Sequence, residues 1–250
     1  MPATNSFLFV RSADRALGTS SAYRVTLPQS YANVSAVTLL SAEVPYSCYN
    51  LDAPNTAGVT FTHNGVAFAY SVTPGFYQIT DLTANILASL QSAFPTAGVT
   101  SVSYSTSSGL ISVVYTSGLA FSVQGTSAGS LGRIMGTDPA GVATLASGGV
   151  LTLPSVATLA PTSTLFMRVA ELPSLMASTN QQQAFARLQL SGAPGSIVLA
   201  NAATSVFNTN TYASPVASLA TLTVSLYTQE GVPANLHGVE WTFTLLISHS

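Results

Sequence analysis

Charge is what this sequence most lacks. It has no lysine, and its only basic side chains apart from histidine are Arg11, Arg15, Arg24, Arg133, Arg168 and Arg187. Eight acids stand against them: Asp14, Glu43, Asp52, Asp81, Asp138, Glu171, Glu230 and Glu240. Charged residues make up 6% of the 250, against roughly 25% in an ordinary soluble domain, and the formal net charge is -2. A nucleic-acid binder needs a basic footprint to neutralise phosphates, and six scattered arginines make none. No direct nucleic-acid partner is therefore expected. Without lysine there is no phosphate-binding loop of the Gly-rich, lysine-terminated kind. Self-repulsion is what keeps protein surfaces apart, so a surface of Ser, Thr, Asn and Gln with so little charge suits permanent burial against other protein.

Cysteine is nearly absent too. Cys48 stands alone between Ser47 and Tyr49, so no disulfide forms within the chain, and the residue reads as a small apolar core group. Long apolar runs are missing. Leu82 to Gly132 and Leu188 to Gln229 carry no charge, but Ser, Thr, Gly and Pro interrupt them throughout, and no membrane helix is expected. The opening MPATNSFLFVRSADR lacks a basic segment followed by a long apolar one, so no signal peptide is expected.

What is present reads as β. In Leu219–Tyr227, Leu222, Val224 and Leu226 alternate with Thr221, Thr223 and Ser225. Near the end Trp241, Phe243 and Leu245 alternate with Thr242 and Thr244. Period two with one apolar face predicts half-buried strands, and these six apolar residues are the candidate core of the fold. The turn-rich stretch Thr228–Gly238 between them leaves open whether they form a hairpin or cross over. Further strands are predicted at Phe7–Arg11, Tyr23–Leu27, Val34–Val44, Val59–Thr62, Val66–Val72, Val99–Tyr104, Leu110–Tyr115, Ala120–Val123, Leu165–Val169, Ala184–Leu190 and Ser196–Ala200. Asn64-Gly65, and Ser107-Ser108-Gly109, predict hairpins. One helix is predicted, capped by Thr80 or Asp81, with Leu82, Ile86, Leu87, Leu90 and Phe94 on one face and Pro95 ending it. Residues 125–163 are dominated by Gly, Ala, Ser, Thr and Pro. The expected fold class is all-β, a single jelly-roll sandwich over residues 1–250 with one short covering helix and an excursion around 125–163.

Catalytic chemistry finds little footing. His63, His237 and His249 fall in predicted turns or the tail, none at metal-ligand spacing with another His or a Cys. Gly125-Thr-Ser-Ala-Gly129 fits a bare G-x-S-x-G pattern, but the strand-elbow-helix context that would make Ser127 a nucleophile is missing. The acids are spread along the chain and suggest no carboxylate pair. No catalytic, cofactor-binding or metal-binding residues are assigned, and the chain is expected not to be an enzyme.

Several segments, in order, carry a resemblance. Phe9-Val-Arg-Ser-Ala-Asp-Arg15 precedes Tyr23-Arg-Val-Thr-Leu-Pro28, and Val37-Thr-Leu-Leu-Ser-Ala-Glu-Val-Pro45 leads to Tyr49-Asn50. Pro74-Gly-Phe-Tyr-Gln-Ile-Thr-Asp-Leu82 leads into the helix, Leu131-Gly132 follows, and Leu236-His-Gly-Val-Glu-Trp-Thr-Phe-Thr-Leu245 comes near the end. Together they resemble the single jelly-roll penton and minor capsid proteins of eukaryotic double-stranded DNA viruses: nucleocytoplasmic large DNA viruses, virophages and polinton-like viruses. His237 stands where that family usually has Asn, and Glu240 where it has Asp. The resemblance implies first and last strands side by side in one sheet. It also implies a structural virion protein at the five-fold vertex of an icosahedral capsid, a homopentamer that also contacts major and minor capsid proteins. Arg11, Asp14 and Arg15 would then form a polar turn, either pinning the N-terminal arm to a neighbouring subunit or pairing locally. The alternatives are a minor capsid protein at another position, or a glycan-binding adhesive sandwich using Tyr46, Tyr49, Asn50 and Asp52.

Overall fold

The computed structural model describes the chain apart from residues 1–3, 53–54, 126–129, 139, 141–143, 147–148, 160–161, 173–175, 178–182, 202–208 and 230. Ser127 of the G-x-S-x-G match therefore lies outside the described residues. In chain order the elements are β1 (Thr4–Arg11), a 3-10 turn at Ser12–Asp14, β2 (Leu17–Gly18), β3 (Ala22–Pro45), β4 (Val59–His63), β5 (Val66–Tyr70), α1 (Ile79–Ala93), β6 (Val99–Tyr104), β7 (Ile111–Tyr115) and β8 (Phe121–Gly125). Then follow α2 (Ser130–Met135), β9 (Thr144–Leu145), β10 (Val150–Thr152), β11 (Thr164–Val169), β12 (Met176–Ala177), β13 (Gln183–Ala184), β14 (Ala186–Gln189), β15 (Ile197–Asn201), β16 (Asn210–Thr228) and β17 (Thr242–His249). The protein is all-β with curled antiparallel sheets and one helix of length, the class and texture expected of a jelly-roll sandwich. The chain gathers into two compact units, residues 1–48 with 162–250, and residues 49–161. The stretch 125–163 thus falls almost wholly in the second unit.

In the first unit an eight-stranded sheet runs β1-β17-β3-β16-β11-β14, with β2 and β15 also paired to β3. Strands β16 and β17 are not a hairpin. Each pairs with β3, one on either side, so the two strands are joined by a crossover. Two strands predicted at 23–27 and 34–44 are one continuous strand of 24 residues. The sequence breaks at Pro28 because the pairing does: β3 and β16 shift register between Thr26↔Thr221 and Tyr31↔Leu219, and a proline without an N–H sits where no ladder bond is needed. A second shift, between Thr211 and Val216 on β16, accommodates Pro215 in the same way. Leu222, Val224, Leu226, Trp241, Phe243 and Leu245 are all buried, with Leu8, Val10, Val37 and Leu39 from neighbouring strands.

The second unit holds a four-stranded sheet, β5-β4-β8-β9, and a three-stranded one, β10-β7-β6. Their core joins Val59, Phe61, Tyr70, Ile111, Val113 and Phe121 to Leu82, Ile86 and Leu90 of α1. The helix starts earlier than its predicted cap. Gln78 is the N-cap residue, and Asp81, three residues into the helix, accepts a hydrogen bond from the Gln78 N–H at 3.2 Å. A short second helix, α2, appears where none was predicted, so the strand and helix held to be missing around the G-x-S-x-G match stand on either side of residues 126–129. His63, predicted in a turn, ends β4 instead and is buried against Phe94 and Phe121, with Nε2 2.8 Å from Ser117 Oγ.

Candidate assembly surface

The polar turn at the end of β1 is built on Trp241. Its backbone N–H donates to Ser12 Oγ at 2.9 Å, its C=O accepts from the Ser12 N–H at 2.9 Å, and its indole Nε1–H donates to the Ser20 carbonyl at 2.7 Å. A buried indole needs such a partner, and this one fixes the ring edge-on to Tyr23 and beside Phe243. Ser12 Oγ donates in turn to Glu240, and Arg15 binds the other carboxylate oxygen at 2.6 Å while also donating to the Ser12 carbonyl at 2.9 Å. The hydrogen bond from Ser12, followed by Arg15, holds the Glu240 carboxyl below the usual carboxylate range. Arg15 thus serves its own chain, clasping the start of the fold to the segment before β17. Arg11 and Asp14 form a separate 3.9 Å pair, both more than half exposed. A Glu beside a predicted strand, as Glu240 is, suggests pairing with an arginine, and the structure makes that arginine Arg15.

Burial pushes the Tyr23 hydroxyl well above the usual phenol range, and Tyr212 is pushed up to about 12 for the same reason. Both oxygens are buried without a hydrogen-bond partner.

The register of the sheet defines a surface. One row across it reads Arg11, Thr242, Glu43, Leu199, and the row two residues on reads Phe9, Thr244, Ser41, Asn201. A third reads Phe7, Leu246, Thr38. The row between the first two, Val10, Phe243, Ala42 and Ala200, is wholly buried, so these three rows point away from the core. Phe7 is 73% exposed, Phe9 61%, Ile197 74% and Leu199 52%. Arg11 and Glu43 are the charged members of these rows, and Glu43 accepts from the Thr242 hydroxyl at 3.3 Å. Natural sheets protect an edge such as β1 with charge, proline or a bulge. Here β1 pairs with β17 in unbroken register and presents Phe7 and Phe9 with a single charge, Arg11, at its end.

Three residues of the glycan-binding alternative have contacts within the chain. Tyr46 is buried, and Asn50 spends both ends of its amide on Tyr77, accepting from its N–H at 3.0 Å and donating to its C=O at 2.8 Å. Tyr49 stacks edge-on with Phe76. Among the described residues no group of three or more His, Cys, Asp or Glu is placed to hold a metal ion, and no helix is long and apolar enough to cross a membrane.

No protein-family model matches the chain, and neither does any curated protein. Among solved structures, the chain is similar to the crystal structure of the mavirus penton protein, at 13% identity and a TM-score of 0.45, over 99% of this chain and 100% of that one.

Proposed function

We propose that this chain is a structural virion protein, a penton component of an icosahedral capsid that works by packing against copies of itself and against other capsid proteins, without catalysis. The observation that carries the reading is the outward face of β1, β17, β3 and β15, on which Phe7, Phe9, Ile197 and Leu199 stand exposed in a chain with 6% charged residues. Burying such a face against a second copy removes apolar area from water and strips few charges of solvent. The ordered sequence resemblance, from Phe9 to Leu245, supports the capsid role. A surface that meets a different surface on the next copy closes into a ring, which is how a five-fold vertex is made. Arg11 and Asp14 lie beside this face and supply its polar rim, while Arg15 is retained by Glu240. The protein so read resides in the virion.

The test is the native mass of the purified chain, with negative-stain images of the same sample. The expected result is a ring of five copies of 25.6 kDa. A monomer at concentrations where capsids assemble overturns self-assembly through this face.

A further inference from the structure

The second unit contains a groove of its own. It has a volume of about 540 Å³ and is lined by Val66, Ala67 and Phe68 of β5, by Ala88, Ser89, Ser92 and Ala93 of α1, and by Phe94. No ionisable side chain lines it.

One wall is an unprotected sheet edge. Among the described residues β5 is terminal in its sheet and pairs only with β4, in unbroken register from Val59↔Tyr70 to His63↔Val66. Asn64 and Gly65 between them have φ of 49° and 77°, the two left-handed residues of a type I′ turn. Such a turn is closed by a hydrogen-bonded pair, here His63 with Val66, and bonded and non-bonded pairs then alternate. Val66, Phe68 and Tyr70 therefore direct their N–H and C=O groups to β4. Ala67 and Ala69 direct theirs outward, where no described strand pairs with them. The strand reads Val-Ala-Phe-Ala-Tyr, without the charge, proline or bulge that normally discourages a further strand. The other wall, α1, presents small side chains, and Phe68 lies edge-on to Phe94 with ring centres 6.0 Å apart.

We infer that this groove takes an extended, uncharged peptide segment of a partner protein, added to β5 as a fifth strand. Main-chain bonds to Ala67 and Ala69 would hold it. Every second side chain would fall on the face of Val66 and Phe68, against Ala88, Ser89 and Ser92, where an apolar or small residue fits and a charge would be left unpaired. Strand and helix together read peptide rather than small molecule, because the polar groups on offer are a row of backbone donors and acceptors at strand spacing. The inference does not depend on the capsid role.

The probe is a displayed library of randomised heptapeptides panned against the full chain. Enriched peptides are expected to be uncharged, with aliphatic residues or Thr at alternate positions. They should slow amide exchange at Ala67 and Ala69 and leave Phe68, already bonded to β4, unchanged. Ala67→Pro removes one N–H at an edge that tolerates proline, and should weaken binding on the order of tenfold. Ser92→Arg, which leaves β5 untouched, should weaken it comparably. Both variants should unfold at the parent temperature. Failure to enrich any peptide overturns the inference, as do peptides that leave Ala67 and Ala69 exchange unaltered. A free chain whose β5 amides are already protected, in a dimer that Ala67→Pro dissolves, overturns it in favour of a second copy as the occupant.

Discussion

Glu240 and Trp241 are adjacent in sequence and opposite in environment, and their two roles are separable by mutation. Trp241 is 1% exposed and makes three hydrogen bonds through its indole and backbone. Trp241→Ala leaves a cavity and an orphaned Ser20 carbonyl, and should cost about 3–5 kcal/mol in denaturant unfolding. Trp241→Phe keeps most of the ring but loses the indole donor, and should cost about 1–3 kcal/mol. Glu240 has its carboxyl lowered in the folded state, first by Ser12 and then by Arg15. A depressed carboxyl contributes stability that is fully present above its unfolded pKa and is lost as pH falls through the folded value. Thermal unfolding between pH 7 and pH 2 should therefore show a loss on the acid side, below about pH 4.3, that Glu240→Gln reduces. At neutral pH the same substitution should cost about as much as the acid-side loss it removes, under about 1 kcal/mol because the carboxylate is partly exposed. An unchanged acid profile in Glu240→Gln would show that other carboxylates carry that dependence.

Turns decide the register of the elements, and two glycines show how differently they can be constrained. Gly65 has φ of 77° with nothing within 4 Å of where a Cβ would stand, so Gly65→Ala pays only for the left-handed backbone, about 1–2 kcal/mol. Gly18 has φ of 101°, and a Cβ there would lie 2.1 Å from the Ala22 carbonyl oxygen. Gly18→Ala must therefore displace backbone as well as strain it, and should destabilise more than Gly65→Ala by chemical denaturation. Equal costs would mean that the β2–β3 turn relaxes freely. The same scale explains the long strands. Pro28 and Pro215 look like strand ends because each lacks a donor, but β3 and β16 pass through both by shifting register.

At the scale of the molecule, the outward sheet face and the scarcity of charge make one prediction together. Phe9→Asp with Leu199→Asp places two carboxylates among exposed apolar residues and should convert the assembled species to monomer by native mass. Folding stability should move by under about 0.5 kcal/mol, since neither side chain is in the core. With only Arg11 and Glu43 charged on those rows, assembly should persist as salt is raised from 0.05 to 0.5 M, where an ion-paired interface would weaken. Dissociation by salt would assign the contact to charged residues elsewhere. The two compact units lead to a further expectation. The buried cluster of the second is drawn from residues between Leu51 and Ala157, and the chain enters and leaves that unit once, so residues 49–161 expressed alone should unfold cooperatively.

The sequence by itself determined the class of this protein and most of its strands, because alternation of apolar and polar residues is a local consequence of the two-residue period of a strand. Thr221–Leu226 and Thr242–Leu245 announce both their conformation and their buried side in this way. The Asn64-Gly65 turn is equally local, since few other residues accept two positive φ angles. Low charge, visible at once, is the ground on which contact with other protein is proposed. Tertiary structure alone decided which strands are neighbours. β16 and β17 follow one another in the chain and are parted by β3, whereas the pairing of β1 with β17, implied by the resemblance, is borne out by the register. Pairing partners are chosen by burial over the whole sheet and leave no mark at any one position. The same holds for the clasp of Arg15 on Glu240 and for the burial of His63. It holds too for the register that puts Phe9 and Leu199, on strands far apart in the sequence, on one face of the sheet.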